Sequence, residues 1–139
     1  MGLYEIDAEQ MAEMEAFAAA NDGPIVMVNF MQVREEAIYA QDMPDDLDTT
    51  PCSGREAMAR YSKGSAGVRA AVGASMVWRG NIAGAPIAAA EDQWNLVALV
   101  RYPSARAYLD MRATPEYHAA RLHRRAALED SRLLMCLDI

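Results

Sequence analysis

The sequence predicts an α+β domain of four antiparallel strands and two packing helices in the order β-α-β-β-α-β, with a further helix in front. Three observations carry this. Four short β-rich apolar runs alternate with segments of helical period, and the helices begin at recognisable capping residues. The first, third and fourth strands are also apolar at both odd and even positions. In an antiparallel sheet, that pattern means that both faces are covered.

Residues 7–20 form the leading helix: Asp7 caps it with Gln10 three positions on, and Met11, Met14, Phe17 and Ala18 share one face. Asn21-Asp22-Gly23-Pro24 stops it. The first strand is Ile25-Val26-Met27-Val28-Asn29-Phe30-Met31, with Asn29 its one polar side chain. Arg34 to Pro51 is a long acidic loop around Pro44 with no lasting period. It reads as a solvated lid or flexible loop, lacking the glycine and terminal glutamate of a calcium loop.

A capping box at Ser53-Gly54-Arg55-Glu56 opens a helix over about 54–72, with Met58, Tyr61, Ser65, Val68 and Val72 at helical spacing and a kink expected at Gly64 or Gly67. The second strand is 75–82, followed by a turn around Gly84 and Pro86. The third runs from Trp94 to Arg101 and closes at Pro103. Ser104 caps a helix with Ala105, Tyr108, Leu109 and Arg112 on one side. Thr114-Pro115 opens another, running to about Leu128. Residues 132–137 form the fourth strand.

This is the ferredoxin-like split βαβ arrangement, with two helices on one sheet face. Residues 1–139 are expected to form one domain, with 1–23 a helical extension and 24–139 the ferredoxin-like core. Two helices cover one face only, so a second copy is expected to cover the other in a homodimer, unless the N-terminal helix does so.

Composition narrows the function. A 139-residue chain that is 53 % hydrophobic and 24 % charged can build a core. A net charge of −7 argues against a nucleic-acid partner, whose affinity draws on clustered Lys and Arg. The two cysteines, Cys52 and Cys136, have no metal or redox spacing. The start of the chain has no signal-peptide pattern and no apolar run reaches the roughly 18 residues of a membrane helix, so a cytoplasmic protein without membrane contact is expected. No phosphate loop, dinucleotide glycine triplet or Gly-x-Ser-x-Gly elbow occurs. No cofactor or metal is expected on this reading.

The run Val100-Arg101-Tyr102-Pro103-Ser104, then Tyr108-Leu109-Asp110-Met111 and Pro115-Glu116-Tyr117, resembles a bacterial domain family of unknown function in the dimeric α+β barrel superfamily. Trp94, the Gly80 turn and Leu128-Glu129-Asp130-Ser131-Arg132-Leu133 extend the likeness from about Ile25 to the C-terminus. The resemblance implies a homodimer with a barrel-like pocket. The superfamily includes haem-degrading and cofactor-free quinone monooxygenases, muconolactone isomerase-like and dye-peroxidase enzymes, and ligand-sensing regulatory domains. Fold alone does not choose among them. The N-terminal helix and the acidic loop are longer than the family pattern.

Candidate site residues follow from chemistry. Asn29 must find partners if buried, either a ligand carbonyl or hydroxyl or a neighbouring strand. Trp78 and Arg79 are adjacent on a strand and face opposite ways, so only one of them faces a pocket. Arg101 can bind an anion or pair with a carboxylate. Tyr61, Tyr102, Tyr108, Tyr117 and Trp94 supply aromatic surface for a flat ligand or for the core. His118 and His123 are the natural acid/base groups, too far round a helix to share a metal. His118 and Tyr61 are the catalytic candidates, and Asn29, Trp78, Arg79, Trp94, Arg101 and Tyr102 the ligand-binding ones. The leading expectation is a dimeric small-molecule-binding protein, and the sequence leaves open whether it is a cofactor-free enzyme on a small organic or aromatic substrate. The alternatives are a non-catalytic ligand-sensing or structural dimer and a haem-type monooxygenase or peroxidase.

Overall fold

The computed structural model describes residues 2–139. Along the chain run α1 (Ala8–Ala20), β1 (Ile25–Val33), α2 (Gly54–Ala71), β2 (Ser75–Asn81), β3 (Leu96–Tyr102), α3 (Ala105–Arg112), α4 (Pro115–Ala127) and β4 (Leu128–Cys136). The strands form one sheet in the order β2-β3-β1-β4, every neighbouring pair antiparallel. This is the ferredoxin-like order, and the fold class is the one the sequence predicts.

Each helix starts where its cap places it. The side chains of Asp7, Ser53, Ser104 and Thr114 accept hydrogen bonds from the backbone N–H of Gln10, Glu56, Ala107 and Tyr117. α2 runs unbroken through Gly64, which sits against Ala120 of α4: a methyl added there would lie 3.2 Å from the Ala120 Cβ. The glycine serves close helix packing.

β4 starts earlier than its apolar run. Leu128, the residue that ends α4, already has extended backbone, so helix passes into strand with no loop. Its polar opening residues find partners elsewhere. Glu129 pairs with Arg34, the Asp130 carboxylate accepts from Leu3 N–H at 2.9 Å, and Ser131 Oγ donates to the Leu3 carbonyl at 2.5 Å. β3 starts later, at Leu96, because the Asn95 side chain bonds both the N–H and the carbonyl of Val33.

The pleat sorts the side chains. Ile25, Met27, Met31 and Val33 of β1 and Leu96, Ala98, Val100 and Tyr102 of β3 are buried under α2, α3 and α4. Val28, Phe30, Val97 and Leu99 face the other way and are half-buried, with Trp78 and Leu134 beside them 55 % and 50 % exposed. α1 does not cover this open face. It packs on the helix side against α3, its Met11, Met14 and Phe17 turned towards the core cluster of Met27, Val100 and Tyr108.

The acidic loop is docked against the end of α4. The carbonyls of Ala126 and Ala127, orphaned by the helix end, accept from Ile38 and Arg34 N–H. Arg60 holds the Asp48 and Thr50 carbonyls and donates to the Tyr39 hydroxyl at 3.2 Å, and that hydroxyl shares a hydrogen bond with His123 Nδ1 at 2.7 Å.

Burial, with the Arg60 charge beside it, lowers the His123 pKa below its usual 6.5, and Asp48 only partly opposes this. The unfolded chain therefore takes up a proton that the fold refuses. Stability is fully present above that usual value and is lost as pH falls towards the folded value. Urea unfolding at about pH 7.5 and about pH 5.5 should show the wild-type midpoint falling, and a smaller fall in His123→Gln.

Candidate functional site

Between the helix-facing side of the sheet and the helices lies a cavity of about 580 Å³, roofed by α3 and α4 and closed at the β4 edge by residues 3–17. β1 brings Met27 and Asn29 to its floor and β3 brings Val100 and Tyr102. α2 contributes Tyr61 and Arg69, α3 Tyr108 and Arg112, and α4 Tyr117, Arg121 and Arg124.

Arg124 is the centre of the site. Only 8 % exposed, it donates from Nη2 to Asn29 Oδ1 at 2.9 Å and from Nη1 to the Tyr4 carbonyl at 3.5 Å. Both partners are neutral. Arg112 lies over the rings of Tyr108 and Tyr117, 5.9 and 5.7 Å from their centroids, and reaches the Tyr108 hydroxyl at 3.4 Å. Arg69 donates from Nη2 to the Ser62 carbonyl, while its buried Nε–H has no partner. Among the described residues, none of these three arginines has a carboxylate within ion-pair distance. Arg121, at the mouth, pairs with Glu5 at 3.0 Å.

The tyrosines complete the lining. Tyr61 and Tyr117 bring their hydroxyls to 3.2 Å in an edge-to-face pair, and Tyr102 stands edge-on to Tyr108. Burial pushes the Tyr61 and Tyr102 phenols up and the Tyr108 phenol up to about 12, Arg112 and Arg124 pulling the last down only in part. All three stay protonated at neutral pH. The cavity thus offers guanidinium and phenol donors, whose chemistry is the binding of an anion or the polarisation of a bound oxygen.

Of the residues singled out from sequence, Asn29, Tyr61, Tyr102, Tyr108 and Tyr117 meet in this cavity. Trp78, Arg79, Trp94, Arg101, His118 and His123 do not. Trp78 lies on the open sheet face, its ring over Gly80, and Trp94 stands beyond β3 against Phe30 and Arg132. Arg101 also faces out and holds Asp138 with both terminal nitrogens, at 3.2 and 3.3 Å. Arg79, facing opposite to Trp78 as alternation requires, lines a separate groove of about 490 Å³ with Arg55, Met58 and Asn81. His118 is exposed on α4, its Nδ1 3.4 Å from Arg121, because the helix turns Tyr117, Arg121 and Arg124 inward in its place. His123 faces the acidic loop, which contributes nothing to the cavity. Arg69, Arg112, Arg121 and Arg124 are the arginines of the site that sequence reasoning did not select. The signal for two of them was present: Arg112 shares a helix face with Tyr108, and Arg124 follows Tyr117 and Ala120 at helical spacing. No group of three or more His, Cys, Asp or Glu among the described residues is placed to hold a metal ion. No helix among them is long and apolar enough to cross a membrane.

Fold and site together define a ferredoxin-like α+β protein with an arginine- and tyrosine-lined cavity between sheet and helices. The chain belongs to the family described as Domain of unknown function (DUF1330), which matches residues 49–136. The methylated RPA0582 protein is 32 % identical over 99 % of this chain and 96 % of its own, with a TM-score of 0.87. The RPA0582 protein of unknown function from Rhodopseudomonas palustris is 31 % identical over 100 % of this chain and 98 % of its own, with a TM-score of 0.86. A hydroxynitrile lyase from Passiflora edulis, 10 % identical over 85 % of this chain and 96 % of its own, has a TM-score of 0.53 and shares the fold. No curated protein matches the sequence.

Proposed function

We propose that the protein binds a small organic anion in the sheet–helix cavity and does so as a homodimer. The observation that carries the first part is Arg124, a buried cation whose hydrogen-bond partners are a side-chain amide and a carbonyl. An unpaired buried charge is costly, and an anion entering the cavity supplies the missing partner. Arg112 and the unpartnered Arg69 Nε add to the same demand. The reading is one of binding, since the donors in the cavity are protonated phenols and guanidiniums and both histidines stand outside it.

A thermal-shift screen of small carboxylates and inorganic phosphate against neutral alcohols and amides of matching shape tests this. An anion at about a hundred times its Kd stabilises by about 2.7 kcal/mol, a shift of several degrees. Neutral analogues that shift the midpoint as far as the anions, or a panel in which nothing shifts it, would overturn the reading.

The dimer rests on the open sheet face. Val28, Phe30, Leu99, Trp78 and Leu134 make it apolar, and α1, the one extra element, lies on the other side. A second copy packing its own sheet against this one buries the same residues twice about a two-fold axis. Sedimentation should give a dimer for the wild type and a monomer for Leu134→Glu, which places a charge on that face.

A further inference from the structure

We infer that the ligand is a monocarboxylate with a compact apolar body, aryl or short alkyl, and that α1 supplies the wall against which this body lies. The inference rests on the anion-site reading and names the class of anion. Met14 and Phe17 line the cavity from α1 and pack towards Met27, yet no residue of α1 is fully buried. Large, partly buried apolar side chains that line a cavity define an apolar subsite. The sheet side of that subsite is Met27, Val100 and Met135, which are direct neighbours across the strands. Methionine thioethers suit an aromatic or flexible alkyl surface.

The charged end is separate. Asn29, which holds Arg124, is two residues from Met27 on the same face of β1, about 7 Å at about 3.4 Å per residue. That span fits one ring, or a short chain, bearing its acid group. The choice of carboxylate follows from the chain itself. Glu5 lines the cavity and pairs with Arg121. A carboxylate is the anion that the outermost arginine of the site, Arg121, already accepts.

Isothermal titration of the full chain with phenylacetate and hexanoate tests the class, against 2-phenylethanol as the neutral body, inorganic phosphate as the bare anion and glutarate as the dicarboxylate. Phenylacetate or hexanoate should bind at least tenfold tighter than the other three, and which of the two is tighter tells aryl from alkyl. Phe17→Ala and, as a second variant, Met14→Gln should weaken the better acid several-fold and leave phosphate unchanged, in protein whose circular dichroism matches the wild type. Phosphate or glutarate binding as tightly as the monocarboxylates, and lost in Arg124→Met, would overturn this inference and leave the anion site standing. Equal binding of 2-phenylethanol, or no binding by any probe, would overturn both. Unchanged affinity in both α1 variants would remove the wall.

Discussion

Replacing Arg124 by methionine is expected to abolish anion binding, with at least a hundredfold loss of affinity or about 2.7 kcal/mol. Its effect on folding should be small, because two opposing terms meet at one residue. The substitution removes a buried guanidinium that has no counter-ion, which favours the fold. It also strips the half-buried Asn29 Oδ1 of its donor, a loss of about 1 kcal/mol. The double variant Arg124→Met with Asn29→Leu removes both partners. Its midpoint in urea should equal or exceed the wild type while binding stays lost. A structural arginine would behave oppositely, each step lowering the midpoint.

Gly54→Ala is expected to cost about 3 kcal/mol, at the upper end of what overpacking usually costs, or on the order of 10 °C in Tm. Gly54 opens α2 directly after its Ser53 cap, and a methyl there would overlap the Arg34 carbonyl oxygen and come within 2.9 Å of Val33 Cγ1. The obstacle is backbone, which no rotamer change relieves. The Gly54 N–H also donates to the Glu35 carbonyl at 3.1 Å, and Glu36 and Ser53 form an isolated bridge alongside. Moving α2 away would therefore loosen the acidic loop as well. Thermal unfolding of Gly54→Ala beside Gly67→Ala is the comparison to make, since a methyl at Gly67 meets nothing within 4 Å.

The two variants also show how far sequence reaches. The helix starts were legible because Asp7, Ser53, Ser104 and Thr114 are caps whose chemistry acts within three residues. The first turn of β4 was not legible, because Glu129, Asp130 and Ser131 are polar and their partners, Arg34 and Leu3, are over ninety residues away. Asn29 stood out as the lone amide in an apolar strand. Arg124 did not, because an arginine on an amphipathic helix reads as solvated until the packing of α4 turns it inward. Trp78, Trp94 and Arg101 were selected for their chemistry; the pleat of β2 and β3 takes Trp78 and Arg101 away from the cavity, and Trp94 precedes β3, packed on Phe30 and Arg132.

The direct passage of α4 into β4 has a mechanical consequence. A loop between two elements absorbs small displacements, and here there is none: Leu128 closes the helix and opens the strand. Arg124 in the cavity roof and Leu134 on the open sheet face are thus ten residues apart with no connecting loop between them. A displacement of α4 would have to be taken up by the ladder that ties β4 to β1, along the strand that carries Leu134.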